Sequence, residues 1–246
     1  MTKNIMSLLA ELSQYSSEKY KSNIIKLGIP EKETIGVSTA CLRKIATRLK
    51  KDNANKEFIK ALWETNYHEA KILGTLLMKT IEYSPDEIDW FMSRIVSWDL
   101  CDLFCKTNLI HSKHFNFYIH KWVTMNDLYY KRAAFTLIAS MSTHSVINHK
   151  EISDYLLLCK NYSNDERLHV KKAISWAIRE LGKIDIPAKE MSIEIAHDLT
   201  ESDIKSKIWI GKDALKELVL LVSVPERSRL ISKKSKMGKS SFETNN

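Results

Sequence analysis

The chain has little glycine and little proline, with six and four residues among 246. Together they make up roughly 4% of the chain, where average usage gives about 12%. β-Sandwiches and β-barrels need many turns built from these two residues, so their scarcity argues against both folds and favours an all-α protein. The sequence also lacks any run of 18 apolar residues, and its first residues do not resemble a signal peptide. We therefore predict neither a membrane span nor secretion.

Cysteine is scarce as well. The four cysteines are Cys41, Cys101, Cys105 and Cys159. Cys101 and Cys105 are one helical turn apart, but no second pair of His or Cys stands at the spacing of a zinc site. We therefore predict no metal and expect reduced cysteines packed within the helices of a cytoplasmic protein.

Charged residues, by contrast, are plentiful. There are 38 Lys and Arg against 30 Asp and Glu, which gives a net charge of +8. Hydrophobic residues make up 44% of the chain, enough to exclude a wholly disordered protein. The positive excess favours a polyanionic partner, most simply nucleic acid.

An internal repeat is the strongest sign of organisation. Residues 128–135, 168–175 and 208–215 align at a spacing of 40 without gaps, and a basic residue recurs at Arg132, Lys172 and Lys212. Looser copies begin at residues 66 and 97. A second helical pattern precedes each copy, at residues 56–64, 86–96, 113–124, 149–160 and 188–199.

Helix pairs repeating every 32–40 residues or so are typical of HEAT-like arrays. We predict a right-handed superhelical solenoid of antiparallel helix pairs with a concave basic face. Proline at 85 and 187 fits helix starts, and residues 126–127, 163–165 and 202–203 are candidate N-caps. The repeat alone leaves two partners open: a duplex phosphate backbone, or an acidic protein.

The two ends of the chain differ in composition from the repeats. Residues 1–55 fit two or three capping helices, one of them near residues 41–50, with a loop at 29–38. We predict a single HEAT-like domain over 1–225. Residues 226–246 hold six basic and two acidic residues and little apolar material, so we predict a disordered tail there.

Two short clusters contain side chains suited to chemistry. Trp98 and Asp102 are four residues apart, as on one face of a helix, and Trp176 and Arg179 are three apart. If these helices line one channel, the channel holds two indoles, a carboxylate and several cations, including Arg132. A carboxylate between aromatic rings can hold a water or stabilise a developing cation. The tryptophans are equally compatible with packing between repeats, and Asp102 with a structural ion pair.

Over about residues 20–220 the sequence resembles the AlkD-like DNA alkylation repair glycosylases, which are built from HEAT-like repeats. The resemblance is carried by residues 35–39 (Ile-Gly-Val-Ser-Thr), 67–70 (Tyr-His-Glu-Ala), 97–102 (Ser-Trp-Asp-Leu-Cys-Asp), 131–134 (Lys-Arg-Ala-Ala) and 171–180 (Lys-Lys-Ala-Ile-Ser-Trp-Ala-Ile-Arg-Glu).

This resemblance implies hydrolysis of the N-glycosidic bond of N3- and N7-alkylated purines in duplex DNA, as in base excision repair, by a monomer without a cofactor. It implies that Trp98 and Trp176 pack against the deoxyribose of the lesion. Asp102 then positions the attacking water and stabilises the oxocarbenium-like sugar. Arg132 and Arg179 match residues that contact the DNA. We add Lys172 and Lys212 as DNA contacts from the repeat.

Two other functions stay open at this stage. One is a non-catalytic HEAT-repeat protein that binds branched or damaged DNA, and the other is a solenoid that docks an acidic protein. The resemblance also implies a bacterial cytoplasmic protein that associates with the nucleoid when it is bound to DNA.

Overall fold

The structure is a computed structural model that describes residues 2–51, 55–78 and 81–243. These residues are mainly α-helical, with one two-stranded antiparallel sheet among them. No helix in the described ranges is both long and apolar enough to cross a bilayer. The chain divides into two compact units, Met1–Ser112 and Lys113–Asn246.

The first unit contains seven α-helices among its described residues. They are α1 (Thr2–Gln14), α2 (Glu18–Lys26), α3 (Thr39–Lys51), α4 (Lys56–Glu64), α5 (His68–Leu77), α6 (Pro85–Met92) and α7 (Trp98–Thr107). Short 3₁₀ turns lie at Glu31–Glu33 and Leu109–His111. The prediction of two or three helices before residue 55 is confirmed, with α1, α2 and α3 in that range, as is the helix predicted at 56–64.

Helix α5 forms the centre of this unit. All ten of its residues are buried, and it packs against α3, α4 and α7. A helix that is enclosed on every side can be apolar all round, and α5 carries its few charged groups near its N-terminus. The buried polar groups of α5 are therefore expected to have partners inside the protein.

Local sequence signals explain several helix starts. Pro85 occupies the first turn of α6, where Ser84 and Glu87 form a capping box. Asp127 caps the helix that begins at Leu128 by accepting hydrogen bonds from the N–H groups of Tyr129 and Tyr130. These predictions from the sequence are confirmed.

The second unit contains the remaining helices and the sheet. The helices are α8 (Phe115–Val123), α9 (Leu128–His144), α10 (His149–Asn161), α11 (Leu168–Leu181), α12 (Ile186–Thr200), α13 (Lys205–Leu218) and α14 (Lys236–Glu243). The strands are β1 (Leu221–Val222) and β2 (Ile231–Ser232), with Leu221 opposite Ser232 and Val222 opposite Ile231.

The 40-residue repeat corresponds to stacked helix pairs. Helices α8 and α9, α10 and α11, and α12 and α13 pack as pairs, and α11 lies between α9 and α13. Residues 134, 174 and 214 are fully buried, as are residues 138, 178 and 218, so the same two positions face the core in each copy. The prediction of an all-α, HEAT-like fold is confirmed.

Two predicted caps are wrong. Helix α11 begins at Leu168 after Arg167, because Asp165 turns back to accept from the Arg167 backbone N–H and guanidinium. Helix α13 begins at Lys205, and Ser202 accepts from the N–H of Ile204 in the preceding turn. Both polar residues stabilise the loop rather than the first turn of the helix.

The prediction of a disordered tail from residue 226 is wrong for residues 226–243; residues 244–246 lie outside the described ranges. Strand β2 pairs with β1, and Leu221, Val224 and Leu230 are buried in the second unit. The N–H of Leu230 donates to the carbonyl of Lys183 at 2.8 Å. The buried side chain of Leu230 and the pairing of β2 with β1 order a segment whose composition is otherwise that of a solvated tail. The single domain over 1–225 stays a prediction.

Candidate functional site

Trp98 and Asp102 lie on the same side of α7 in the first unit. Trp98 is the first residue of the helix, and its indole Nε1–H donates to the carbonyl oxygen of Leu27 at 3.0 Å. Asp102 follows one turn later, and both side chains are partly exposed. An aromatic side chain fixed at its N–H and a carboxylate one turn away form a compact pair that a ligand can reach.

A buried carboxylate holds the loop that precedes α3. Glu69, only 1% exposed, accepts hydrogen bonds from the backbone N–H groups of Ile35 (2.9 Å), Gly36 (2.6 Å) and Val37 (3.1 Å). Three donors around one carboxylate compensate for the loss of its hydration. The loop at 35–37 is thereby fixed to the N-terminal turn of α5.

The backbone at Gly36 requires glycine. Its φ is +103°, a conformation that L side chains rarely adopt. A Cβ at this position would lie 2.9 Å from the Cβ of Lys21 and 3.1 Å from the carbonyl oxygen of Ser17. These two atoms leave no room for a methyl group. This explains the glycine of the 35–39 motif.

His68 and Asp99 join α5 to α7. His68 Nε2 lies 3.0 Å from Asp99 Oδ2, and Asp99 Oδ1 accepts from the N–H of Leu100 at 2.8 Å. Burial alone would raise the pKa of Asp99, but the hydrogen bonds and the attraction to His68 outweigh it and hold the pKa below its ordinary value. Asp99 therefore forms a contact between the two helices.

Three of the sequence motifs thus meet in one network. Residues 35–37 bind Glu69, its neighbour His68 binds Asp99, and Trp98 next to Asp99 binds Leu27. Sequence reasoning assigned no role to His68 or Glu69. The available signal was the placement of three ionisable residues, His68, Glu69 and Lys71, at the start of a mainly apolar segment.

Arg132, on α9 in the second unit, is buried. It is 5% exposed, and its guanidinium donates to the backbone carbonyl of His169 on α11 at 2.6 Å. The prediction that the repeated basic residues at 132, 172 and 212 all lie on an exposed basic face is therefore wrong for Arg132. In this structure Arg132 links two repeats.

Lys172 and Lys212, at the equivalent positions of α11 and α13, are exposed. Neither forms an ion pair with another residue in the described part of the chain. The lysines one position earlier are held within the protein: Lys131 lies 3.4 Å from Asp165, and Lys171 lies over the Trp209 ring at 5.5 Å. Exposed cations are thus present at two of the three repeat positions, Lys172 and Lys212.

Trp176 and Arg179 both lie on α11, where each contacts a carboxylate. The indole Nε1–H of Trp176 is 3.3 Å from Glu180 Oε1, and the Arg179 guanidinium donates to Glu217 of α13 at 2.7 Å. Burial would raise the pKa of Glu217, but Lys183 and Arg179 outweigh it and lower the pKa. Arg179 is thereby partly neutralised within the protein.

A family model described as "DNA alkylation repair enzyme" matches residues 8–217. The match covers most of the chain, including all the motifs above. The chain belongs to this family. A solved structure described as "a new family of proteins related to the HEAT-like repeat DNA glycosylases with affinity for branched DNA structures" is similar, with a TM-score of 0.69 and 19% identity. The similarity covers 98% of this chain and 93% of that chain. No curated protein matches the sequence.

In this member of the DNA alkylation repair enzyme family the predicted site residues fall into two sets. Trp98 and Asp102 belong to the first unit, and the remaining residues belong to the second, so their convergence on one channel stays a prediction. Among the described residues, no three His, Cys, Asp or Glu side chains are grouped as metal ligands. All four cysteines are reduced, and three of them are buried.

Proposed function

We propose that the protein binds duplex DNA and hydrolyses the N-glycosidic bond of N3- and N7-alkylated purines. The observation that carries this proposal is the pair on α7, an anchored indole at Trp98 and an accessible carboxylate at Asp102, in a chain of the DNA alkylation repair enzyme family. The roles assigned to the two residues are those that the resemblance to the AlkD-like glycosylases implies, and the chemistry of this bond is consistent with them.

An alkylated purine already carries a positive charge, so it leaves as a neutral base without strong acid catalysis. The developing charge is on the sugar, which becomes oxocarbenium-like. The Asp102 carboxylate stabilises that cation electrostatically and orients a water for attack at the anomeric carbon. An indole face beside the sugar adds cation–π stabilisation and excludes bulk water.

The charge distribution of the second unit supports a polyanionic partner. Its exposed lysines include Lys172 and Lys212 on neighbouring helices, and more of them follow β2: Lys233, Lys234, Lys236 and Lys239. Phosphate contacts of this kind give affinity without sequence preference and weaken as salt rises.

The test is release of 7-methylguanine from methylated duplex DNA, measured for wild type, Asp102→Asn and a matched control. Asp203→Asn makes the same chemical change at an exposed position of the second unit. We expect wild type and Asp203→Asn to release the base, and Asp102→Asn to lose release while its DNA affinity stays the same. Equal release by Asp102→Asn and wild type would show that the catalytic assignment is wrong.

A second candidate function is DNA binding without base release. It is favoured by the similar solved structure, whose family is described as having affinity for branched DNA. If wild type binds a four-way junction more tightly than duplex DNA and releases no alkylated base, this second function replaces the first. A protein that binds neither DNA near physiological salt would instead support the acidic-protein partner.

A further inference from the structure

We propose that Glu180 and Arg229 are positioning residues for Trp176. In this arrangement, the segment after α13 fixes the orientation of an indole in the candidate site. The inference rests on the proposed function, in which Trp176 packs against the sugar of the lesion.

The contacts form a continuous chain from the C-terminal segment to the indole. Arg229 donates to Glu180 Oε2 and to the Glu180 backbone carbonyl, both at 3.0 Å. Glu180 Oε1 accepts from Lys183 Nζ at 2.7 Å and from the Trp176 Nε1–H at 3.3 Å. One carboxylate therefore joins a cation of the C-terminal segment to the tryptophan.

The partial burial of this cluster makes the geometry well defined. The side chains of Glu180, Lys183 and Arg229 are 17%, 22% and 24% exposed. Charge-assisted hydrogen bonds from two cations hold both carboxylate oxygens and so limit rotation of the carboxylate. An indole has a broad, roughly two-fold preference at χ2, and a fixed acceptor for its N–H selects one of the two orientations.

Arg229 is itself held in place by its neighbour. The N–H of Leu230 donates to the carbonyl of Lys183, and the Leu230 side chain is 5% exposed. The two anchors bracket the end of α11 at Glu180 and Lys183. The docked backbone of Leu230 holds Arg229 within reach of Glu180, and this couples the segment to the orientation of the indole.

The simpler alternative is that Arg229 only attaches the segment to α11. Lys189 provides a matched control for this alternative. Its Nζ donates to the carbonyl of Leu221 at 2.8 Å, so it also attaches the segment through one side-chain-to-backbone hydrogen bond, and no contact in the described residues connects it with Glu180. If Arg229 only attached the segment, substitutions of Arg229 and of Lys189 would have the same effect on Trp176.

The experiment uses the full chain labelled with ¹⁵N, with the indole N–H resonance of Trp176 assigned from Trp176→Phe. Arg229→Gln, Arg229→Lys, Glu180→Ala and Lys189→Gln are compared with wild type. The same proteins are assayed for single-turnover release of 7-methylguanine. The resonance reports on the Trp176 N–H environment whether or not the protein is catalytic.

We expect Arg229→Gln and Glu180→Ala to shift the Trp176 resonance and to slow base release on the order of tenfold, with DNA affinity unchanged, because a misplaced side chain costs rate more than binding. Arg229→Lys should return the resonance toward its wild-type position. Lys189→Gln should leave both the resonance and the rate unchanged.

The inference fails if the resonance is unmoved in Glu180→Ala and Arg229→Gln, or if Lys189→Gln moves it equally. Should Arg229→Gln fail to fold, Glu180→Ala and Arg229→Lys decide the question. If wild type releases no base, the proposed function fails, whereas the resonance still decides whether Arg229 and Glu180 orient Trp176.

Discussion

Glu69 is the residue whose removal tests the internal network of the first unit most directly. Its carboxylate accepts from three successive backbone N–H groups while being almost completely buried. Glu69→Ala leaves all three donors without that acceptor. Glu69→Gln keeps the shape of the side chain but turns an NH₂ group toward at least one of the backbone N–H donors. Two donor groups then face each other, which is repulsive.

The magnitude follows from the count and charge of these bonds. A hydrogen bond to a charged group contributes about 1.5–3 kcal/mol, and a buried N–H group left without an acceptor costs about 1–3 kcal/mol. Glu69→Ala should therefore lose about 3–5 kcal/mol, and Glu69→Gln about 2–3 kcal/mol, of the free energy of unfolding. Since the free energy of unfolding of a whole protein is about 5–15 kcal/mol, either loss is large.

The assay is urea unfolding followed by tryptophan fluorescence, with Glu64→Gln as the control. Glu64 is exposed at the end of α4 in the same unit, and its substitution should change the free energy of unfolding by less than about 0.5 kcal/mol. If Glu69→Ala and Glu69→Gln both unfold within about 1 kcal/mol of wild type, the three hydrogen bonds do not stabilise the loop as we argue.

The remaining predictions concern one residue or pair each. Gly36→Ala should destabilise the protein by about 1–3 kcal/mol, seen as a lower melting temperature, because φ is +103° there. The pKa of Asp99 is lowered in the folded protein. Its contribution to stability is therefore present at pH values above its ordinary pKa of 3.8, and it is lost as the pH falls through the folded-state pKa. Asp99→Asn should accordingly flatten the fall in unfolding free energy below pH 4 or so; an unchanged slope would contradict this. Arg132→Met should lower stability by about 2–4 kcal/mol, because it removes a buried guanidinium bonded to a backbone carbonyl. Lys172→Gln should leave the melting temperature alone and reduce the salt dependence of DNA binding by about one phosphate contact, whereas an unaltered salt slope would remove Lys172 from the interface.

The repeat was readable from the sequence because its signal is periodic. The apolar positions 134, 174 and 214 recur at a fixed spacing, and a periodic apolar face must be buried somewhere. Asp127 and Pro85 were readable for a different reason. Each acts on its own first turn, so no distant residue decides the outcome.

The burial of Arg132 could not be read in the same way. Arg132 and Lys172 occupy equivalent repeat positions, yet one is buried and the other exposed. The difference depends on the packing around each helix: residues 132–142 of α9 are buried in an unbroken run, whereas α11 keeps exposed positions. A spacing identifies which residues share a face but not what covers that face.

The partners of Glu69 and Glu180 could not be predicted from the sequence either. Their hydrogen bonds join residues that are more than 30 positions apart, to Gly36 and to Arg229. Nothing in the local pattern around either glutamate specifies such a partner. By contrast, the compositional argument for the tail weighed charge against hydrophobicity. It missed the buried side chain of Leu230 and the pairing of β2 with β1, which order the segment.

The family match and the folded second unit end at different residues. Similarity to the family stops at residue 217, but the folded unit continues through Leu218, Leu221, Val224 and Leu230, all of them buried. A recombinant fragment cut where the family match ends would uncover an apolar strip and leave Glu180 without Arg229. Such a fragment would be prone to aggregate, and its inactivity would be no evidence about the chemistry of the intact protein. Fragments for functional work should therefore extend at least through α14.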